Sequence, residues 1–158
     1  MPKDPKVIPR QVAVAIPFRP WKGPDNPARF LLVSSRKHQD RWVFPKGEIE
    51  PKTDDDDPGR AALREAWEEG GIRGKIVRML HRSQDTKPHK RVTDEFVSRA
   101  EYSFWLMEVS EEWKEWPEVS ERKRKWVEQQ EASDLVAWRA DGQVEALEKI
   151  LESELFTS

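Results

Sequence analysis

Residues Gly47 to Ile72 read GEIEPKTDDDDPGRAALREAWEEGGI, an acid-rich loop running into a short amphipathic helix. Asp57 suits the N-cap, and Pro58 follows at the first helical position, where a missing N–H does no harm. The Asp54–Asp57 run lies at the positive end of the helix dipole, and Gly70 and Gly71 supply a left-handed stop. At about 100° per residue, Ala62, Leu63, Ala66 and Trp67 form an apolar stripe. Glu65, Glu68 and Glu69 fall on the other side, spaced i, i+3, i+4, so that their carboxylates converge. Three like charges on one face repel unless a counter-charge is brought to them. Hard divalent cations take oxygen ligands, and Mg2+ commonly joins one or two carboxylates to substrate phosphates. The blander alternative is a solvated acidic face with an Arg64–Glu68 pair at i, i+4, worth a few tenths of a kcal/mol.

The order of residues favours the metal. Arg64-Glu65-Ala66-Trp67-Glu68-Glu69-Gly70-Gly71-Ile72 resembles the core of the Nudix box, G-x5-E-x7-R-E-U-x-E-E-x-G-U with U apolar. The Arg, three Glu, Gly and Ile all fall at the family's offsets, with Ala66 a small U. The upstream half departs from the pattern: Gly47 sits three residues too far from Arg64, and the outer Glu position falls on Asp56. This reads as a three-residue insertion, with one Asp of the Asp54–Asp57 run standing in for the outer Glu; the pattern leaves open which one.

With 158 residues the chain is expected to form one domain, residues 1–158, with residues 1–9 and 156–158 as tails. No apolar run approaches the roughly 18 residues of a membrane span, and MPKDPKVIPR lacks the apolar segment of a signal peptide. The absence of cysteine excludes disulfides and thiolate zinc sites. His38, His81 and His89 are isolated, with no pair at metal spacing. Net charge is −2 but uneven: Glu48 to Glu69 holds nine acids against three bases, and Arg73 to Arg91 seven bases against one acid. An acidic metal site beside basic segments suits a polyanionic substrate carried with a cation.

In chain order, Gln11–Phe18, Arg29–Ser35 and Trp42–Phe44 read as strands around a Pro/Gly/Asn-rich loop, and Pro45-Lys46-Gly47 opens the acid loop. Arg73–Arg82 and Ala100–Val109 are further strands, separated by a polar, basic stretch over Ser83–Ser98 that reads as a substrate loop or a mobile segment. Lys125-Trp126-Val127 suggests another strand. Glu128–Val136 and Gln143–Leu155 read as helices, the last with Val144, Leu147, Ile150 and Leu151 as its apolar stripe. Strands before and after helices give an α/β fold with a mixed sheet; the resemblance implies the Nudix α/β/α sandwich. Trp67, Trp105 and Trp138 are expected in the core, and Trp113 and Trp116 against the sheet. Trp42 and Trp126 are the candidate stacking surfaces for a nucleobase.

Outside the box, RQVAVAIPFR, FLLVSSRKHQDRWVFPKGE, IRGKIVRML and EYSFWLMEVSEEWKEWPEVSERKRKWV resemble the diphosphoinositol polyphosphate phosphohydrolases. The PKG segment is similar to their fungal and plant relatives, which also cleave diadenosine polyphosphates. Glu48 stands where the family more often has a second Gly, and the Lys87–Arg99 stretch is not matched. The resemblance implies Mg2+, with Mn2+ as a substitute, held by Glu65 and Glu69 with the Gly47 carbonyl. Glu68 either completes the metal shell or acts as general base, and Arg64 orients a glutamate. It further implies substrate contacts from Arg10, Arg19, Ser35, Arg36, Lys46, Arg124 and Lys125; Lys90 and Arg91 are added from charge alone. Arginine is favoured for bidentate phosphate contacts. The expected partner is a small-molecule polyphosphate, with no membrane and a monomeric state, in cytoplasm or nucleus. Two further readings stay open: a hydrolase of nucleotide-based diphosphates (ADP-ribose or mRNA-cap type), and a non-catalytic polyphosphate-binding module. The run Arg122–Lys125 is alternatively a nucleic-acid or localisation patch, against the near-neutral balance of the rest.

Overall fold

Strand β1 (Arg10–Arg19) is buried on both faces from Val12 to Phe18, and this sets the layers. The computed structural model describes residues 9–85 and 100–156. Along β1, Val12, Val14, Ile16 and Phe18 join one core cluster while Ala13 and Ala15 join another, the two-residue alternation of a strand. Around β1 stand β2 (Arg29–Ser34), β3 (Trp42–Val43), β4 (Lys46–Glu48), β5 (Ile72–Gln84), β6 (Ala100–Glu112) and β7 (Arg124–Val127). They form one mixed sheet in the order β3-β2-β1-β6-β5, with β4 on β1 and β7 on β2. β1 is parallel to β6 and antiparallel to β2 and β4.

Helix α1 (Pro58–Gly70) covers the alanine side of β1; α2 (Gln129–Val136) and α3 (Gln143–Glu148) cover the other. The arrangement is the expected α/β/α sandwich. Under α1 the contact is small against small, with Ala61, Ala62 and Ala66 on Ala13, Ala15, Leu31 and Met107. The larger side chains, Phe18, Phe30, Phe44 and Phe104, fill the layer beneath α2 and α3. β1 meets β2 only at Phe18–Phe30 and Arg19–Arg29; beyond that point β4 takes the edge of β1 and β7 the edge of β2. The β4 backbone at Lys46 and Gly47 thereby comes up against Glu69 and Glu65 of α1.

Three expectations change. Lys46-Gly47 is not loop but part of β4, drawn into extended form because the edge of β1 needs partners for Val12 to Val14. The last helix breaks after Glu148. Arg78 Nη2 donates to the Lys149 carbonyl (2.8 Å), and its guanidinium also grips Glu154, which accepts from the Leu151 N–H. The chain turns there into a 3-10 segment, Glu152–Leu155, leaving Leu151 59% exposed instead of on a stripe, and Phe156, expected in a tail, packs its ring on Trp21. Trp67, Trp105 and Trp138 are each half-buried, because an indole N–H needs a partner: Ser103 Oγ for Trp105 and the Trp42 carbonyl for Trp138. Of the expected loop over residues 83–98, Ser83 and Gln84 belong to β5 and the Asp85 N–H donates to the Ala100 carbonyl (2.8 Å); residues 86–98 lie outside the described residues.

Candidate active site

Helix α1 begins as its sequence dictates. Asp57 caps it by accepting from the Gly59 N–H (2.9 Å), and Pro58 occupies the first turn. Gly71, at φ +67°, is the left-handed residue that ends it; Gly70 remains helical. The loop before the helix coils around Asp54, which is 2% exposed. Its carboxylate accepts from the Glu50 N–H (2.8 Å) and, side-on, from Arg64 Nε (2.9 Å) and Nη2 (3.0 Å). Asp54 is thus the member of the acid run that Arg64 holds, whereas Asp55 and Asp56 sit at φ +54° and absorb the extra residues in a tight left-handed turn. The Arg64 guanidinium holds the Asp54 carboxyl below the usual carboxylate range, and Asp54 in turn raises Arg64 above its ordinary value.

Arg64 is the hub of the region. Beyond Asp54 it donates to the Glu48 carbonyl (3.0 Å), to Glu65 Oε1 (2.8 Å) and to Glu68 Oε2 (3.2 Å). The i, i+4 pair with Glu68 exists, but as one spoke of a larger knot. The three glutamates therefore divide. Glu65 and Glu69 are buried side by side, while the half-exposed Glu68 is tied to Glu65 through Arg64. The backbone of β4 rides directly on the pair: Glu69 Oε1 accepts from the Lys46 N–H (3.2 Å), and a Cβ built on Gly47 would lie 2.1 Å from Glu65 Oε1.

The other end of α1 is closed by the segment between β6 and β7. The Glu118 N–H donates to the Glu68 carbonyl, the Trp116 indole N–H to that of Glu69, and Arg124 Nη1 to that of Gly70 (3.0, 3.0 and 2.8 Å). These carbonyls have no partner within the helix. Trp116 was expected to cap the sheet; it caps the helix. The same segment delivers Arg122, whose Nη2 lies 3.2 Å from Glu69 Oε2 while its Nε donates to Glu118 and its Nη1 to the Ser34 carbonyl. The basic run is therefore no continuous surface patch: Arg122 and Arg124 turn inward, Lys123 outward, and Lys125 lies over the Trp42 ring, 4.5 Å from its centroid. Arg122 and Lys123 precede β7, and only Arg124 and Lys125 are separated by the alternation of a strand.

Burial governs the two carboxyls. It raises Glu65, against the pull of Arg64, and pushes Glu69 up to about 8, against Arg122 and reinforced by Glu65 and Glu118. A carboxyl raised in the fold above its value of 4.5 in the unfolded chain binds more protons when folded, so stability falls as pH rises from 4.5 towards 8. The chelator-treated protein is expected to melt lower at pH 8 than at pH 6. A divalent cation, which needs the ionised carboxylate, is expected to raise the melting temperature more at pH 8. Melting curves with EDTA and with Mg2+ at both pH values check the sign.

Two buried, mutually repelling carboxyls against a close backbone fit a hard cation. Among the described residues no group of three acidic or histidine side chains could hold a metal ion; the available donors are the Glu65–Glu69 pair and main-chain oxygen of the Gly47 stretch. Gly47→Ala would push its Cβ into the Glu65 carboxylate. It is expected to weaken Mg2+ or Mn2+ binding by about tenfold or more, read by calorimetric titration. Unchanged affinity would show that the Gly47–Glu65 contact does not shape the site.

The other expected site residues scatter. Arg36 lines a cleft of about 550 Å3 with Ser34, Gln39, Glu121, Arg122 and Lys123, next to Glu69. It lies 3.9 Å from Glu118 and 3.7 Å from Glu121, exposed and only loosely paired. Ser35 is buried, its hydroxyl accepting from the His38 N–H. Arg10 is exposed, paired with Glu48 at 3.3 Å. The Lys46 ammonium is pushed below its ordinary value by burial and by Arg139, while Asp141 and Glu69 oppose that. Arg124 stacks on Trp116 (4.1 Å) and meets Glu112. Arg19 lies in a separate cleft with Glu112 and Trp126. Lys90 and Arg91 fall outside the described residues. Sequence reading missed Glu118 and Arg122 as neighbours of Glu69; their i, i+4 spacing was the one available sign.

A model of the NUDIX domain matches residues 9–149. Human diphosphoinositol polyphosphate phosphohydrolase 3-alpha is 34% identical over 123 residues, covering 76% of this chain and 67% of the relative. The mouse diphosphoinositol polyphosphate phosphohydrolase 2 is 34% identical over 122 residues, covering 76% of this chain and 61% of the relative. Among solved structures, a Nudix hydrolase from Nitrosomonas europaea superposes with a TM-score of 0.66 at 15% identity, covering 94% of this chain and 93% of that one, a likeness of fold. With the Arg64-Glu65 and Glu68-Glu69 pairs, the Gly71 stop and the sandwich all in place, the chain belongs to the Nudix family, as a hydrolase related to the diphosphoinositol polyphosphate phosphohydrolases.

Proposed function

We propose that the protein hydrolyses a phosphoanhydride bond of an inositol pyrophosphate, releasing phosphate, with a divalent cation, Mg2+ or Mn2+, and that it also accepts diadenosine polyphosphates. The observation that carries this reading is the buried Glu65–Glu69 pair with Arg122 at its edge, 3.2 Å from Glu69, the same arginine lining a cleft with Arg36 and Lys123. An inositol pyrophosphate bears phosphates all around its ring, and such a rim offers planar and point cations to several of them at once. The diphosphoinositol polyphosphate phosphohydrolases that the chain resembles at 34% identity lend the substrate class.

Glu65 and Glu69 would hold the cation, with main-chain oxygen at Gly47; bound there, it would neutralise phosphate charge and lower the pKa of an attacking water. Arg64 is a positioning residue, fixing Glu65 and Glu68 against the acid loop. Glu68, the one glutamate of the three left half-exposed, is placed to accept a proton from that water. Arg122, 3.2 Å from Glu69, would offer its guanidinium to an arriving phosphate. Base recognition has less to support it. The candidate stacking surfaces are already covered, Trp42 by Lys125 and Trp126 by the Arg19 guanidinium at 4.1 Å.

The test is phosphate release from a 5-diphosphoinositol pentakisphosphate and from diadenosine hexaphosphate, side by side, with and without Mg2+. Faster metal-dependent cleavage of the inositol substrate is the expected result. Preference for the dinucleotide would overturn the substrate assignment, and cleavage of neither would overturn the activity.

A further inference from the structure

On the α1 side of the sheet, away from the glutamates, a cleft of about 380 Å3 is lined by Arg19, Lys22, Asn26, Arg29, Glu112 and Trp126, among others. It shares no lining residue with the cleft beside Glu69. Arg19 and Arg29 are directly opposed across the antiparallel β1–β2 pair. Like charges in that relation project from the same face within a few ångströms of each other and destabilise the ladder. Only one of the two has its charge answered. Arg19 is ion-paired with Glu112 and stacked on Trp126. The half-buried Arg29 and the exposed Lys22 have no side-chain hydrogen bond or ion pair among the described residues.

The acids present do not balance these cations. Glu112 is shared between Arg19, Arg124 at 3.3 Å and the Trp126 indole N–H at 3.2 Å. Glu111, the other acid of the cleft, stands opposite Arg73 in the β5–β6 ladder. The crowding reaches Arg124, which burial pushes below its ordinary value, with Arg19 adding to the effect and Glu112 opposing it. A pair of opposed guanidiniums with an ammonium beside them presents a fork of donors that suits a tetrahedral oxyanion.

We propose that this cleft is a second anion site, which binds the phosphate chain of a phosphorylated small molecule between Arg19 and Arg29, with Lys22 at its edge. The ligand answers the repulsion that the β1–β2 ladder otherwise carries. Binding here needs no metal and no turnover, so it stands or falls separately from the hydrolytic reading.

Calorimetric titration of the full chain with inorganic tripolyphosphate in EDTA tests it, using the wild type, Arg29→Gln, Lys22→Gln and Arg122→Gln. Arg29→Gln is expected to weaken binding by about tenfold, as for loss of one charge-assisted contact, and Lys22→Gln, which lies off the ladder, to weaken it less. Repeating the titration with ATP assigns the source: equal affinities mean that the phosphate chain alone is read, and tighter ATP binding means that the chain is taken on an organic carrier. Tripolyphosphate binding unaffected by both Arg29→Gln and Lys22→Gln, or lost only in Arg122→Gln, would place the anion in the catalytic cleft and overturn the proposal.

Discussion

Glu69→Gln is expected to reduce turnover by about 100-fold or more, the scale of losing one electrostatic stabiliser of a transition state, while leaving the fold intact. Burial already drives Glu69 towards its neutral form, at about 8, and glutamine has the shape of that form. The amide oxygen still accepts from the Lys46 N–H. The amide NH2 then faces the Arg122 guanidinium, donor against donor, so the metal-free stability is expected to fall by about 1–3 kcal/mol. What the variant loses is an ionisable oxygen for a cation. The rise in melting temperature on adding Mg2+ is therefore expected to shrink or vanish together with the activity. Near-normal turnover would remove Glu69 from the metal site, and a collapsed fold would show its role to be structural.

Arg64→Met is expected to be the most destabilising single change in the box. Methionine replaces the buried stem but leaves Asp54, almost wholly enclosed, with the Glu50 N–H and no cation. An uncompensated buried charge costs about 3 kcal/mol, which for a domain of this size lowers the melting temperature by roughly 6–12 °C. The double variant Arg64→Met/Asp54→Leu should recover much of the loss, because no charge is then stranded. The sign of the pH dependence follows from Asp54. Its carboxyl is held below 3.8 in the fold, so its contribution is complete above that value and is lost as pH falls further. The gap between wild type and Arg64→Met is accordingly expected to narrow in acid. An equal cost from Asp56→Ala and Asp54→Ala would contradict the choice of Asp54.

Much of this was legible in the sequence where local rules act alone. Asp57, Pro58 and Gly71 mark the helix ends by rules that need no tertiary partner, and the alternation in β1 already separates Val12, Val14 and Ile16 from Ala13 and Ala15. Burial of Glu65 and Glu69, but not Glu68, was not legible, since their spacing alone puts all three on one face. The division comes from Arg64 and from β4, whose pairing to β1 is itself a long-range event. Arg122 looked like one base among four, because the pull of a distant Glu69 is invisible in a charge run. The break after α3 depends on Arg78, some seventy residues away in sequence, and no helical period records it.

One feature of the β6–β7 connection sets a time scale. Its backbone and side chains at Trp113, Trp116, Glu118 and Arg124 are fastened to the last turn of α1 and to Gly71, so Arg122 is carried on a stretch with little freedom to swing as a whole. Its exchange of Glu69 for an incoming phosphate must then be a rotation about its own side-chain bonds. With that side chain 9% exposed and bonded to Glu69, Glu118 and the Ser34 carbonyl, the rotation waits on breaking these contacts rather than on a loop, and is slower than the picosecond-to-nanosecond flips of exposed side chains. Capture of the ligand at this corner would therefore not wait on a gate.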